Sequence, residues 1–268
     1  MPQNPNVALS TKLEVELAKF IKANPKLPRL ICEGDSWFSY PIDRNLIDYL
    51  DDMGKFVLLR LEKSGDEALD MLSGKSKAQL AYFVKKYKPH ALLFSGGGND
   101  IAGSELKPLL NDSTGATTVE QCLHQERVAQ RLQELKNAFG DLAELCAENH
   151  PDCRLFLHGY DYPEITGKGI KFFGIRIAKP WISDPMDARN VPKALRTPIM
   201  RHMLDRLNEG LAEVAAAHAS VRYVNLRGTL QKTEWTNELH PRFSGFKKLA
   251  KKMRDALAAE PDLKPFFP

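Results

Sequence analysis

Three residues with chemistry to offer stand in three separate polar stretches of this chain. Ser36 sits in Gly34-Asp35-Ser36-Trp37, directly after the apolar run Leu30-Ile31-Cys32. Asn99 follows three consecutive glycines, Gly96, Gly97 and Gly98, which themselves follow Leu92-Leu93-Phe94-Ser95. His240 stands in Asn237-Glu238-Leu239-His240-Pro241, ahead of the last apolar-periodic segment. A serine hydroxyl becomes a useful nucleophile beside a base that takes its proton. Imidazole titrates near neutrality and suits that task. A side-chain amide donates a hydrogen bond without bringing a charge, and glycines let another group approach the backbone closely. Serine, histidine and such donors are the parts of an acyl-transfer site. Each also has a plainer reading: Ser36 as a turn residue, the glycines as a strand-to-helix turn, His240 as a structural histidine. The outcome depends on whether the fold brings them together.

Several other chemistries lack their residues. Ile101 occupies the third glycine's place of a dinucleotide fingerprint, and no Gly-Lys-Ser/Thr ending follows the glycines. There is no Gly-x-Ser-x-Gly, so a nucleophile-elbow hydrolase is a poor match. Cys32, Cys122, Cys146 and Cys153 form no Cys-x-x-Cys pair, which argues against a zinc ribbon or redox motif. They read as buried thiols of a reducing compartment.

The elements that must position these residues follow from periodicity. Short apolar runs predict strands over 29–33, 56–61, 90–94, 154–158 and 221–225. Helical spacing predicts helices over 45–52, 67–72, 77–86, 119–149, 197–218 and 244–258. Thr11 and Glu14 fit a capping box, with Leu13, Leu17, Phe20 and Ile21 on one face of a helix running to about Ala23. Strands alternate with helices five times. Continuous apolar strands are those of a parallel sheet covered on both faces. The expected fold is therefore a three-layer α/β sandwich with a five-stranded parallel sheet and helices on both faces. Ligands of such sheets bind at the carboxyl ends of the strands. Gly34-Asp35-Ser36, Ser64-Gly65-Asp66 and Gly96 to Asp100 all fall at those ends. The expected organisation is a lead-in over 1–28 and a single domain over 29–268. A loop insertion spans about 161–196.

The 268 residues are 43% hydrophobic and 27% charged, an ordinary composition for a globular chain with material for a core. The net charge of +4 is too weak, and the cations too dispersed, to point to nucleic acid. No run approaches a bilayer span. The first twenty residues lack the pattern of a signal peptide, so the cytoplasm is the expected location. No cofactor or metal is expected, and nothing here bears on oligomeric state.

Gly34-Asp35-Ser36-Trp37, the lone Gly65, Gly97-Gly98-Asn99-Asp100 and the terminal Asn237 to Pro241 together resemble the four blocks of the SGNH, or GDSL-type, hydrolases, in that family's order. The resemblance covers residues 29 to 258. It implies the family's flavodoxin-like fold and a serine esterase acting on a small-molecule ester. Ser36 would be the nucleophile and His240 its general base. The Ser36 and Gly65 N–H groups and the Asn99 side chain would form the oxyanion hole. One position departs from the pattern: Asn237 stands where the family usually has an aspartate, three residues before the histidine. Asn237 is the expected partner of the imidazole, with Glu238 as the rival acid and a backbone carbonyl as a third choice. Two other readings remain open, a binding module without turnover and an acyltransferase using the same site.

Other residues read as follows. Asp35 and Asp100 are expected to tie down their own turns. Trp37, Phe38 and Tyr40 would line an acyl pocket or pack the first helix. His158 is expected to be structural at the rim. Tyr162, Phe172, Phe173 and Trp181 should bring the 161–196 segment beside the site.

Overall fold

The computed structural model describes residues 15, 17–169, 171–172, 175–176 and 179–267. The expected capping box of Thr11 and Glu14 and the inward Leu13 lie outside the described residues, as do the side chains of Phe172 and Phe173. Residues 17–23 are helical, with Leu17 and Ile21 packed on the core. Phe20 departs from expectation: it is 50% exposed, on the outer face of that helix.

Among the described residues seven strands follow: β1 (Arg29–Gly34), β2 (Val57–Arg60), β3 (Ala91–Ser95), β4 (Arg154–His158), β5 (Lys171–Phe172), β6 (Ile175–Arg176) and β7 (Val221–Val224). Five of them form one parallel sheet in the order β2-β1-β3-β4-β7. Every residue of β3 is buried, which is why that strand reads as an unbroken apolar run. Helices Gly74–Tyr87, Gln125–Asn149 and Lys193–Ala217 pack in sequence on one face. Helices Leu46–Asp51 and Phe243–Ala258 pair on the other. The last helix buries Phe246, Leu249, Met253 and Leu257 on the stripe its spacing predicts. The result is the three-layer α/β sandwich.

The strand order has a consequence for function. From β1 the chain moves outward to β2, then returns to the opposite side of β1 as β3. The loops leaving β1 and β3 therefore diverge at the point where the winding reverses, which opens a crevice. Register pairs Gly34 with Ser95 and Ser95 with His158 along the carboxyl rim. Gly34 is required there: a Cβ on it would lie 2.6 Å from the Cβ of Ser95.

Two local features differ from the sequence expectation. The helix expected over 119–149 is two helices, Val119–Cys122 and Gln125–Asn149. Leu123 is extended between them and bridges Leu110, so a tertiary pairing overrides an uninterrupted helical pattern. Within the insertion, β5 and β6 pair as a two-stranded antiparallel ribbon, and Ser183–Asp187 forms a short helix.

Candidate active site

Ser36 lies in the turn that leaves β1. The Asp35 backbone carbonyl accepts from the Phe38 and Ser39 N–H groups at 3.1 and 3.0 Å. The Asp35 carboxylate accepts from the Trp37 N–H at 3.0 Å and from Ser95 Oγ at 2.8 Å. The Tyr160 hydroxyl donates to its other oxygen. Asp35 thus ties its own turn to β3 and to the end of β4, as the sequence suggested. Burial pushes its carboxyl up to about 6, against these hydrogen bonds, which favour the charged form. Asp100 plays the corresponding part on the other side: it accepts from the Ala68 and Leu69 N–H groups at 2.8 and 3.1 Å. That contact caps the Ala68–Met71 helix and joins the second loop to the third.

His240 is presented by a tight loop closed by the Trp235–Pro241 bridge. Asn237 organises it from within. Its Oδ1 accepts from the Leu239 and His240 N–H groups, each at 2.9 Å, and from His240 Nδ1 at 3.0 Å. An oxygen that already accepts two backbone N–H groups can receive only a donor from the ring. Nδ1 therefore carries the proton, and Nε2 presents its lone pair. Nε2 lies 2.8 Å from Ser36 Oγ. The structure brings Ser36, His240 and Asn237 into one chain of hydrogen bonds, with all three residues buried. Burial holds the imidazole down to about 3.

Glu238 is not the partner of His240. Its carboxylate accepts from the Gly167, Ile182 and Ser183 N–H groups at 2.9, 2.8 and 3.0 Å, and from the Ser183 hydroxyl. The reason is geometric: adjacent residues on this turn face opposite ways, so Asn237 points at the ring and Glu238 at the insertion. Glu238 is fully buried and clamps the 161–196 segment to the loop that carries His240.

Gly65 and Asn99 sit across the crevice. Gly65 has φ +90°, a conformation that favours glycine, and a Cβ there would meet nothing within 4 Å. The glycine serves the backbone turn, and its amide borders open space. Neither the Ser36 nor the Gly65 N–H has a hydrogen-bond partner among the described residues. Asn99 Nδ2 donates one proton to the Asp66 carbonyl at 2.9 Å, which orients the amide and leaves its second N–H.

Two cavities meet at Asn99. One, of about 40 Å³, is lined by Ser36, Trp37, Asn99, Tyr160, Met200 and Leu204. The other is an open cleft of about 470 Å³ between Gly65 and Asn99 on one side and Pro180, Trp181 and Pro185 on the other. Lys107, Glu67 and Asp184 make part of its wall polar. The insertion therefore packs on the Ser36 side of the sheet: Trp181 stands edge-to-face against His240, ring centroids 5.4 Å apart, and its carbonyl accepts from the Gly103 N–H at 2.8 Å.

The three aromatics after Ser36 divide their roles. Trp37 lines the small cavity and donates from Nε1 to the Leu239 carbonyl at 2.9 Å. Phe38 is core. Tyr40 stacks on the His240 ring with centroids 4.4 Å apart and planes 23° apart. His158 packs beneath Trp37 and Tyr160. Tyr160 and Ser95 escaped the sequence reading, and so did the stacking of Tyr40 on His240. Tyr160 lies only two residues past the rim histidine, and that was the signal that could have found it.

No protein-family model matches the chain, and neither does any curated protein. Solved structures do. The lipase Lip_vut3 from a goat rumen metagenome superposes with a TM-score of 0.55 at 15% identity, over 85% of this chain and 97% of its own. A GDSL-like lipase candidate from Parabacteroides merdae gives 0.53 at 14% identity, over 87% and 96%. An SGNH hydrolase candidate from Slackia heliotrinireducens gives 0.53 at 11% identity, over 86% and 98%. The fold is that of the SGNH hydrolases. Among the described residues no group of His, Cys, Asp and Glu could hold a metal ion, and no helix is long and apolar enough to cross a membrane.

Proposed function

We propose that this chain is a serine ester hydrolase that cleaves a carboxylic ester with a short acyl group. The observation that carries the reading is the 2.8 Å contact of Ser36 Oγ with His240 Nε2, on a ring whose Nδ1 is engaged by Asn237. In the first half-reaction Ser36 Oγ bonds to the ester carbon while its proton passes to Nε2. The carbonyl oxygen becomes an oxyanion, held by the Ser36 and Gly65 N–H groups and the free N–H of Asn99. Collapse breaks the bond to the alcohol, which leaves with the proton from Nε2. In the second half-reaction water gives a proton to Nε2 and attacks the acyl carbon, and Ser36 Oγ recovers the proton as the acid departs.

The cavities support a division of the substrate. The space beside Ser36 is about 40 Å³, against about 10–15 Å³ needed to hold one water, so it takes only a small group. It suits an acetyl-sized acyl group. The larger, partly polar cleft suits the alcohol part. The resemblance to lipase structures gives the fold, and the small cavity argues against a long acyl chain. Transfer to a second alcohol would use the same Ser36 intermediate.

The test is a nitrophenyl ester series from acetyl to octanoyl on the purified chain, beside labelling with a fluorophosphonate probe. Turnover should be highest for acetyl and fall steeply by octanoyl, with the label on Ser36. No turnover above buffer together with no label would overturn the reading in favour of a binding module.

A further inference from the structure

The mechanism asks His240 to carry a positive charge in each half-reaction, yet among the described residues its ring nitrogens meet Asn237 and Ser36 and no carboxylate. Burial is the cause that holds the ring neutral, with no charged neighbour contributing. Three carboxylates of the surrounding elements are committed elsewhere. Asp35, on the turn after β1, is committed to Trp37, Ser95 and Tyr160. Glu238, on the histidine's own loop, is committed to Gly167, Ile182 and Ser183. Asp184, on the insertion, pairs with Lys179 at 3.5 Å. What does face the ring is aromatic: Tyr40 lies flat on it, and Trp181 closes a second side.

The face of an aromatic ring is the negative pole of its quadrupole, and a cation within about 6 Å of the centroid is attracted to it. At 4.4 Å and 23° the Tyr40 ring is inside that range, in the stacked orientation, and it is buried. A neutral imidazole gains little from this beyond packing. An imidazolium gains an electrostatic contact, in a site where desolvation makes such contacts stronger. The contact is therefore stronger in the transition state than in the ground state, the property that accelerates a chemical step. The phenol hydroxyl makes no hydrogen bond of good geometry among the described residues; burial pushes its pKa up, with the neighbouring Asn237 side chain acting the other way.

We propose that Tyr40 is a positioning residue whose ring face steadies the His240 imidazolium in place of the carboxylate that Asn237 does not supply. The proposal rests on the reading of Ser36 and His240 as an ester-cleaving pair.

The test varies the ring's charge distribution at constant shape. Tyr40→Phe serves as the reference, and pentafluorophenylalanine at position 40 reverses the quadrupole. The fluorinated enzyme should lose about tenfold in kcat relative to Tyr40→Phe, with little change in KM. Tyr40→Leu should lose at least as much, with most of the loss recovered by Tyr40→Phe. In the Asn237→Asp background, where a carboxylate shares the task, the fluorine effect should shrink. His240 is then titrated by NMR in Asn237→Asp, in which the added charge lifts the ring into a range the fold tolerates. The pentafluoro side chain should lower that pKa by roughly half a unit or more relative to Phe. Equal kcat and equal pKa for the two rings would overturn the proposal. So would a loss in Tyr40→Phe as large as in Tyr40→Leu, which would assign the effect to the hydroxyl. If the native chain hydrolyses no ester, the proposed function fails, while the NMR comparison still decides whether the ring acts on the imidazole.

Discussion

Two histidines stand at the carboxyl rim of the same sheet, and their differences separate scaffold from site. His158 ends β4, and His240 sits on the loop before the last helix. Both are buried, and burial pushes both rings down, His158 to about 4 and His240 to about 3. Neutrality is thus common to both and distinguishes neither. The partners do. His158 Nδ1 lies 2.8 Å from the Gly159 carbonyl, so it carries the proton, and its Nε2 is buried with no partner. His240 Nδ1 is held by an oxygen with two other donors, and its Nε2 meets a serine hydroxyl. A perturbed pKa marks both residues, but only geometry marks His240 as the candidate base.

Deletion should separate them most sharply. Ser36→Ala and His240→Ala are expected to lower kcat by about 10⁴-fold or more, with no additive loss in the double variant, because the two act as a unit. His158→Phe keeps the aromatic packing beneath Trp37 and should hold turnover within about threefold. Ester kinetics on the four proteins checks this. Comparable losses from His158→Phe would erase the distinction.

A smaller effect is expected at the oxyanion side. Asn99→Ala should lower kcat by roughly 10² to 10³, the cost of one preorganised donor, with less change in KM. An unchanged kcat would mean that the amide serves only its bond to Asp66.

Smaller again is the charge term at Asn237. Replacing it by aspartate keeps the oxygen that orients Nδ1 and adds the missing counter-charge. A nearby opposite charge favours the imidazolium, commonly by about one to three pKa units. The sign is fixed: the acid limb of kcat/KM moves from the low pH set by burial toward the ordinary histidine range. At neutral pH kcat rises by up to about tenfold. A pH–rate profile of Asn237→Asp that coincides with the native one would show that the orienting oxygen alone matters.

These contrasts also show what a sequence can carry. The five strands were legible because a doubly covered parallel strand is a continuous apolar run, and Ala91–Ser95 is buried at every residue. Ser36, Gly65, Asn99 and His240 were legible because their blocks sit at strand ends in a fixed order. What stayed hidden depends on contacts distant in the chain. Ser36 and His240 are 204 residues apart, and the Tyr40 ring reaches the imidazole over a similar separation. Glu238 reads as an acid near a histidine, yet its direction is set by N–H groups 55 to 71 residues away. The break at Leu123 depends on a bridge to Leu110, which no helical period reveals.

The least effect on turnover, and the clearest on stability, is expected from His158 in acid. Its folded pKa of about 4 lies below the ordinary value of 6.5, so the unfolded chain takes up the proton first as pH falls. The stability this neutral ring contributes is complete above pH 6.5 and is lost as pH falls from 6.5 toward 4. For a fully buried ring the loss approaches about 3 kcal/mol at the bottom of that window. His158→Phe cannot titrate. It also leaves the Gly159 carbonyl without its donor, which costs about 1–2 kcal/mol at neutral pH. The variant should therefore start less stable at pH 7 and lose less between pH 6.5 and 4.5, so that the two stability curves converge. His240 keeps a slope of the same sign in both proteins, since its pKa is depressed for the same reason. Urea unfolding at half-unit pH steps measures the two slopes. Parallel curves for native protein and His158→Phe would show that the ring beneath Trp37 is already reached by water, and the contrast between the two histidines would then rest on hydrogen-bond partners alone.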